Sequence, residues 1–368
     1  MAFYPLTSVW PKLESRLERV ELGVFPTPLE RSPVLEAELG GSVFLKRDDL
    51  SSPIYGGNKV RTLETLFGSA LARGHREIVA VGAYGSNHAV ASALHARRAG
   101  LRAASILFPQ PHSVAALENL RVAVTQSSQL SFSPHWSWIP PAIWLARRAG
   151  REVMAPGGAT PVGALGYVSA GLELGLDFQR GGFEPPRRVY VGVGSTCTTA
   201  GLLVGLCHAA RLGLGFRSPP TVVAVRVTPW PVTSRFRILS LAVRTSRLLA
   251  ELAGDRSLAI DGRELSAGLA LDSSELGAGY GMPTERGLSA IDWFRRHHGF
   301  ALDTTYSAKS AAAFLRAVRE RSHAPCVFWS TKSTAPLPDA APEARELPAR
   351  VRRWLDGAGA LAPRGSAA

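Results

Sequence analysis

The chain contains the stretch Ser51-Ser52-Pro53-Ile54-Tyr55-Gly56-Gly57-Asn58-Lys59-Val60-Arg61, in which a lysine follows two glycines and an asparagine. Lysine is scarce in this sequence, since only five of its 42 basic residues are lysines (Lys12, Lys46, Lys59, Lys309 and Lys332). A primary amine can lose its proton and form an imine, which arginine cannot do. Lys59 is therefore a candidate for a Schiff base with pyridoxal phosphate. The alternative is a solvated lysine in a glycine turn, because motifs this short have many false matches.

A second motif follows one supersecondary unit later. Ile78–Val81 has the pattern of a short buried strand, and residues 82–85 form a turn. Ser86-Asn87-His88 then has the pattern of a cap and first turn for a helix over Ala89–Gly100. The start of a helix offers free N–H groups to an anion such as an amino-acid carboxylate. A plain Ser/Asn cap without a ligand remains the alternative for this segment.

A third motif combines a strand, Arg188–Val193, with a loop of small hydroxylated residues and glycines, Gly194–Gly201. Such a loop between a strand and a helix can bind phosphate through N–H groups and hydroxyls. The loop lacks the Gly-Lys-Ser/Thr ending of a Walker loop and the acidic residue of a dinucleotide site. The motif therefore predicts a phosphate without a nucleotide, which pyridoxal phosphate satisfies.

Taken together, these motifs resemble the family of D-cysteine desulfhydrases and 1-aminocyclopropane-1-carboxylate deaminases, which are tryptophan-synthase-β-like (fold type II) pyridoxal-phosphate enzymes. The resemblance runs in order through Phe25–Arg31, Leu45–Leu50, Gly56–Lys59, Gly85–His88, Gly157–Tyr167, Gly194–Gly201, Gly279–Thr284 and Leu302–Tyr306. It implies an α/β protein of two domains, each an open twisted sheet with helices on both faces.

The expected domain division follows the same resemblance. Residues 1–62 and 155–340 would form the large cofactor-binding domain, and residues 63–154 the small domain. Residues 341–368 would be a partly disordered tail with a short helix, Glu343–Leu355, and a frayed end, Gly357–Ala368. The aromatic, proline-rich stretch Phe132–Trp144 either lines the substrate entrance or is a packed loop.

The resemblance also implies roles for individual residues. The catalytic residues would be Lys59, Ser86 and Tyr306; the cofactor would contact Asn58, Lys59, Asn87, Ser195, Thr196, Cys197, Thr198 and Thr331; the substrate would contact Ser86, Asn87, His88, Tyr280 and Tyr306. For Tyr280 and Tyr306, packing beside glycine turns is the alternative.

The activity implied is the α,β-elimination of a small amino acid, as in D-cysteine desulfhydrase, with the freed amine of Lys59 as the base. Deaminases that open the cyclopropane ring carry a glutamate, facing the pyridine nitrogen, where this chain has Ser307. A hydroxyl group at the pyridine nitrogen, from Thr331 or Ser307, favours the desulfhydrase branch. The alternatives are a deaminase or β-replacement enzyme acting on another amino acid, and a catalytically silent homologue.

Two departures from the family pattern concern charge. Thr62 stands where many relatives have a lysine near the phosphate, and Ser330-Thr331-Lys332-Ser333 replaces His-Thr-Gly-Gly. One hypothesis is that Lys332 restores the missing charge beside the phosphate. The rival hypothesis is that these substitutions changed the choice of substrate or the activity itself.

Composition excludes several other classes. The net charge of +13 comes from arginines scattered singly or in pairs, which argues against nucleic-acid binding. The three cysteines lack metal-ligand spacing, so we expect reduced thiols and no metal. No apolar run is long enough for a membrane span, and the first residues do not resemble a signal peptide. We therefore expect a cytoplasmic protein that binds a small amino acid, and the family resemblance implies a homodimer.

Overall fold

The computed structural model of the chain describes residues 4–300, 302–320, 325–341 and 346–359. Its strands are β1 (Leu29–Arg31), β2 (Val43–Arg47), β3 (Glu77–Ala83), β4 (Arg102–Phe108), β5 (Leu130–Phe132), β6 (Glu152–Val153), β7 (Arg188–Val193), β8 (Thr221–Arg226), β9 (Leu269–Asp272) and β10 (Cys326–Ser330). Its α-helices are α1 (Pro5–Val9), α2 (Pro33–Leu39), α3 (Asn58–Ala72), α4 (Asn87–Ala96), α5 (Val114–Gln126), α6 (Ile139–Arg148), α7 (Pro161–Gly181), α8 (Cys197–Arg211), α9 (Arg235–Ala253), α10 (Gly262–Ala267), α11 (Glu285–His298), α12 (Ser307–Arg319) and α13 (Ala349–Gly359).

The larger of two sheets has the strand order β1-β2-β10-β7-β8-β9. Its strands pair in parallel except β1, which is antiparallel to β2. Alternate residues of a strand point to opposite faces, and here both faces are buried: Val189 and Val191 enter one core, whereas Tyr190 enters another. Burial on both faces explains why the inner strands are continuous apolar runs.

The smaller sheet has the order β5-β4-β3-β6 and is parallel throughout. Ile78 and Ala80 of β3 pack into one core and Val79 and Val81 into another, so this sheet also has both faces covered. The predicted α/β architecture of two open sheets covered by helices is confirmed.

Two helices that begin outside residues 63–154 pack on the smaller sheet. Helix α3 begins at Asn58, and its residues Val60 and Phe67 lie in the core that β3 enters. Helix α13 begins later in the chain than the predicted Glu343–Leu355 helix and ends at Gly359, because Val351 and Trp354 are buried against the same core. Gly357–Gly359 are therefore helical rather than frayed, whereas 342–345 and 360–368 lie outside the described residues.

The aromatic stretch Phe132–Trp144 forms β5, a short turn of 3-10 helix and the start of α6. Its three tryptophans are mostly exposed, and Trp136 keeps 63% of its surface accessible. Such exposure does not fit a packed loop, and the substrate-entrance interpretation stays a prediction. Within the described ranges, no helix has both the length and the apolar character that a membrane crossing requires.

Candidate active site

The candidate site begins where helix α3 meets the end of strand β10. The backbone N–H of Asn58 donates to the carbonyl of Thr331 at 2.9 Å, and Gly57 forms a bridge with Lys332. Gly57 has φ 92°, and a Cβ there would lie 2.4 Å from the Thr331 oxygen. Only glycine permits both this conformation and this approach. The glycine run is thus required to place Lys59 in the first turn of α3, beside β10.

The Lys59 side chain is enclosed by a second pair of glycines. Its Nζ donates to the carbonyl of Gly157 at 3.2 Å, and burial lowers the pKa of the amine. A Cβ on Gly157 would lie 2.3 Å from the Cβ of Ser195 and 3.8 Å from Nζ. Ser195 therefore occupies the place that a side chain at position 157 would need, and its Oγ donates to the same Gly157 carbonyl at 3.3 Å. An amine of lowered pKa beside this loop residue is suited to act as a nucleophile or a base.

The predicted phosphate loop begins beside Lys59 and ends in helix α8. Thr196 has φ 73°, a left-handed conformation that is uncommon for a residue with a side chain. Thr198 Oγ1 accepts from the amide Nδ2 of Asn58 at 2.9 Å, which ties the loop to α3. The hydroxyl of Thr199 is buried without a hydrogen-bond partner among the described residues. First-turn N–H groups lack intrahelical partners, so the loop presents donors to an anion.

Thr62 of α3 and Cys197 of α8 contact each other at the start of α8. The Cys197 thiol donates to the carbonyl of Gly158 at 3.2 Å, and its sulfur lies 3.9 Å from Thr62 Oγ1. Burial raises the pKa of the thiol, so Cys197 is a neutral packing group.

Helix α4 carries Ser86, Asn87 and His88 on its first turn. Ser86 is the N-cap, and its Oγ accepts from the N–H of Ala89 at 3.3 Å. His88 is buried, and neither ring nitrogen has a partner among the described residues. Burial, aided by the charge of Lys59, lowers the pKa of His88 to about 3. His88 is thus a neutral imidazole near Lys59, beside Gly158, with both nitrogens available.

The Asn87 side chain belongs to a hydrogen-bonded chain. The ammonium of Lys332 donates to the Tyr55 hydroxyl at 2.9 Å, and that hydroxyl donates to Asn87 Oδ1 at 3.0 Å. Asn119 donates to the same Oδ1 at 2.8 Å and to the carbonyl of Gly85 at 2.9 Å. The Asn87 amide is therefore held in one orientation, with its oxygen accepting two hydrogen bonds.

A small pocket lies against this chain, and we call it the front pocket. It is lined by Gly85, Asn87, Gln110, Ala115, Ala116, Asn119, Asp303, Thr305, Tyr306 and Lys332. Lys332 thus enters the site, but beside Asn87 and Tyr306; the loop Ser195–Thr198 does not contribute to this pocket. The hydrogen bond of Lys332 to Tyr55 favours the rival hypothesis, in which the substitution changed the choice of substrate.

The two candidate tyrosines form a pair at the edge of the front pocket. The hydroxyl of Tyr306 donates to that of Tyr280 at 3.1 Å, and the rings meet edge to face at 5.9 Å. Burial raises the pKa of both hydroxyls, so both keep their protons at neutral pH. A Cβ on Gly194 would lie 3.0 Å from the Tyr306 ring, which places this ring beside the start of the phosphate loop.

Ser307 follows Tyr306 as the first residue of α12. Its hydroxyl is buried and has no partner among the described residues. The carboxylate of Asp303 accepts from the backbone N–H groups of Thr305, Tyr306 and Ser307, so it caps this helix. The buried Thr331, the preferred candidate for the ring nitrogen, is tied to Asn58 through its carbonyl.

Behind Lys59 lies a second set of polar groups, the charge network, formed by Lys46, Asp48, Arg61, Glu173 and Asp177. Arg61 pairs with Asp48 at 2.8 Å and with Glu173 at 2.9 Å, and Lys46 pairs with Glu173 and with Asp177, each at 2.7 Å. Burial alone would raise the pKa of Glu173, but the two cations outweigh it and lower the pKa to about 2. Arg61 is on the same helix as Lys59, so this network anchors the start of α3.

A larger open groove lies elsewhere, between α11 and α12. It has a volume of about 370 Å³ and is lined by Arg286, Arg316, Arg319 and neighbouring residues. Arg286 pairs with Glu275, and Arg316 with Asp272, so their charges are neutralised locally. No residue predicted for the site lines it.

Several residues of the site were not predicted from sequence. Tyr55 lies within the opening motif, where its aromatic ring among glycines was a signal that went unused. Gly157 was recognised as part of a motif, without the prediction that it contacts Lys59. Asn119 had no signal, because a single asparagine inside a helix is unremarkable until the tertiary structure brings it to Asn87.

The chain is similar to known proteins in both sequence and structure. Residues 20–331 match the family model described as pyridoxal-phosphate dependent enzyme. The chain is 34% identical over 328 residues to nocardicin C-9′ epimerase of Nocardia uniformis subsp. tsuyamanensis, covering 86% of this chain and 93% of that protein. It is 32% identical over 340 residues to D-cysteine desulfhydrase of Serratia proteamaculans, covering 86% and 94%. A solved structure of an ACC deaminase homologue superposes with a TM-score of 0.71 at 27% identity, covering 89% of this chain and 94% of that one.

Proposed function

The chain belongs to the pyridoxal-phosphate-dependent enzymes, and from that premise we propose that it catalyses α,β-elimination on a small amino acid, with D-cysteine as the leading candidate. In this reaction the bond between Cβ and sulfur breaks, the sulfur leaves with the electron pair, and water hydrolyses the remainder to a 2-oxo acid and ammonia. The observation that carries the proposal is the partly buried Lys59 amine, whose pKa is lowered and whose Nζ meets the Ser195 hydroxyl at the carbonyl of Gly157.

The residues present fit the cofactor. We assign the phosphate to Ser195, Thr196, Cys197 and Thr198, where the left-handed Thr196 and the unpartnered Thr199 hydroxyl indicate a loop shaped around an anion. Asn58 supports this loop through Thr198. When bound, pyridoxal phosphate withdraws electrons from the substrate carbon.

We assign the proton steps to Lys59 and to the tyrosine pair, with α4 supplying the groups that hold the substrate. Lys59 takes the proton from the substrate carbon, since burial favours its neutral amine. Tyr306 and Tyr280 keep their hydroxyl protons, so they are placed to donate to the leaving group or to orient it. Ser86 fixes the start of α4, from which Asn87 and His88 reach the substrate.

Ser307 favours elimination over opening of a cyclopropane ring. Its hydroxyl is buried and has no partner among the described residues, so it is free to contact the pyridine nitrogen. Thr331 stays the preferred candidate for that contact. A carboxylate at that position would keep the nitrogen protonated, whereas a hydroxyl does not. The weaker electron demand suits the departure of a thiol.

Epimerisation of an amino-acid centre is a second candidate. It is favoured by the similarity to nocardicin C-9′ epimerase and by the presence of a second amine, Lys332, in the front pocket. An epimerase would return a proton to the substrate carbon instead of expelling a group from Cβ.

The purified, cofactor-loaded protein tests this proposal with the two enantiomers of cysteine, serine and alanine. We expect 2-oxo acid and sulfide from D-cysteine, and loss of both products and of the visible absorbance of the bound cofactor in Lys59→Ala. Lys12→Ala is the control, because Lys12 is exposed and should be silent in both assays. Interconversion of alanine enantiomers without 2-oxo acid would establish the epimerase instead, and an unchanged absorbance in Lys59→Ala would remove Lys59 from the site.

The cellular setting is also part of the proposal. The cysteines Cys197, Cys207 and Cys326 are free and buried, as expected in the reducing cytoplasm. We retain a homodimer as the expected assembly, which size-exclusion chromatography with light scattering can measure.

A further inference from the structure

Lys332 is the residue of the front pocket that the family pattern explains least. Its ammonium donates to the Tyr55 hydroxyl, and Nζ also lies 4.7 Å from the centre of the Tyr55 ring. No carboxylate of the described residues forms an ion pair with it. Burial would lower the pKa of this amine, but Tyr55 and the more distant charges of Asp303 and Glu118 raise it above its ordinary value. The pocket therefore contains a full positive charge without a direct counter-ion.

The hydrogen-bonded chain through Asn87 fixes which atoms face the pocket. Lys332 can only donate, so the Tyr55 oxygen accepts from it and the Tyr55 proton goes to Asn87. At the other end the carbonyl of Gly85 can only accept, so the group of Asn119 that contacts both Gly85 and Asn87 is its NH₂. The Asn87 atom between them must be its oxygen. Its NH₂ group is left to donate into the site.

Gln110 and Asp303 also line the pocket. Gln110 accepts from the N–H of Gly85 through its oxygen, which leaves its NH₂ group unused by that contact. Both oxygens of Asp303 accept from backbone N–H groups at the start of α12, which stabilise its negative charge at that end of the helix. One wall thus combines a cation with two amide NH₂ groups, and a charged oxygen ligand would satisfy all three.

We propose that Lys332, together with the Asn87 amide that it helps to orient, binds a carboxylate of the amino-acid substrate. The inference rests on the proposed function, since it assumes an amino acid in this pocket. It assigns to Lys332 a direct part in substrate selection and none in holding the cofactor phosphate. The carboxylate belongs either to the α-carbon or to a side chain, and binding measurements separate the two.

The experiment measures binding rather than turnover. Calorimetric titration of the cofactor-loaded protein uses D-alanine, D-alaninamide and D-aspartate, none of which carries a thiol leaving group. Wild type is compared with Lys332→Met, which removes the charge at similar length, and with Lys332→Arg, which keeps the charge but releases no proton. A charge-assisted contact predicts that Lys332→Met binds the carboxylate ligands about tenfold to a hundredfold more weakly, with little change for D-alaninamide. Loss for D-alanine and D-aspartate alike assigns the α-carboxylate, whereas loss for D-aspartate alone assigns a side-chain carboxylate.

Lys332→Arg should keep most of this affinity, and pyridoxal phosphate should bind Lys332→Met as tightly as wild type. Equal binding of all ligands to wild type and Lys332→Met would overturn the inference, and so would a weakened cofactor affinity with unchanged ligand affinity. If wild type epimerises, and Lys332→Arg keeps its ligand affinity but no longer epimerises, then the inference on carboxylate binding stands. In that case epimerisation replaces the proposed elimination. Tyr55→Phe provides a second variant if Lys332→Met fails to fold, because it cuts the link to Asn87 while keeping the charge.

Discussion

The charge network and the motifs predicted for the active site differ in how their buried polar groups are hydrogen-bonded. Behind Lys59, Arg61 and Glu173 are buried with ion-pair partners at 2.9 Å or less. In or beside the predicted site motifs, His88, Thr199 and Ser307 are buried without partners among the described residues. An unpaired buried polar group costs free energy. The first set therefore stabilises the chain, and we expect a bound ligand to supply partners to the second set.

The charge network should dominate stability. Glu173→Ala leaves Arg61 and Lys46 short of a counter-ion in a buried site, so the free energy of unfolding should fall by about 3–5 kcal/mol. Glu264→Ala is the matched control, since Glu264 pairs with Arg211 on the surface and should contribute less than about 1 kcal/mol. Urea unfolding of the cofactor-free protein measures both variants. Equal effects would abolish the distinction between the two regions.

The contributions of His88 and Glu173 to stability change in different pH ranges. His88 has a folded pKa of about 3 against about 6.5 unfolded, so the unfolded chain binds its proton first and stability falls as the pH drops below 6.5. By pH 4.5 this loss should reach about 2–3 kcal/mol. Glu173, with a folded pKa of about 2, loses its contribution only below its unfolded value of 4.5. His88→Gln should therefore flatten the unfolding profile between pH 6.5 and 4.5, with His208 contributing equally to both proteins. An unchanged slope would show that His88 is not buried as a neutral group.

The smallest expected effect comes from comparing two buried serines of helix α12. Ser307 and Ser310 are both buried on α12, but Ser310 Oγ donates to backbone carbonyls whereas Ser307 Oγ is unpartnered. In the cofactor-free protein, Ser310→Ala should destabilise by about 1 kcal/mol and Ser307→Ala should be neutral or stabilising. With pyridoxal phosphate bound, Ser307→Ala should lower cofactor affinity. Thermal unfolding measures the stability of the cofactor-free variants, and cofactor titration measures their affinity for pyridoxal phosphate. Destabilisation of the cofactor-free protein by Ser307→Ala would indicate an ordinary structural hydroxyl.

Sequence alone reached the fold because its signals were local. The strand at Ile78–Val81, the cap at Ser86 and the loop before α8 each depend on neighbouring residues, and the structure forms all three. The boundaries of α13 were missed because burial of Trp354 against a distant core determines them. The partner of Lys332 was missed for the same reason, since Tyr55 lies far away in the chain and meets it only after β10 joins the larger sheet.

The bridge between Gly57 and Lys332 also has a consequence for the order of synthesis. The N–H groups of Gly56 and Asn58 donate to Ser333 and Thr331, so the turn that presents Lys59 is closed by residues made much later, with 277 positions between Gly56 and Ser333. A nascent chain that has not yet released β10 from the ribosome therefore lacks the support for this turn. Cofactor capture should follow the synthesis of β10 and of the residues directly after it.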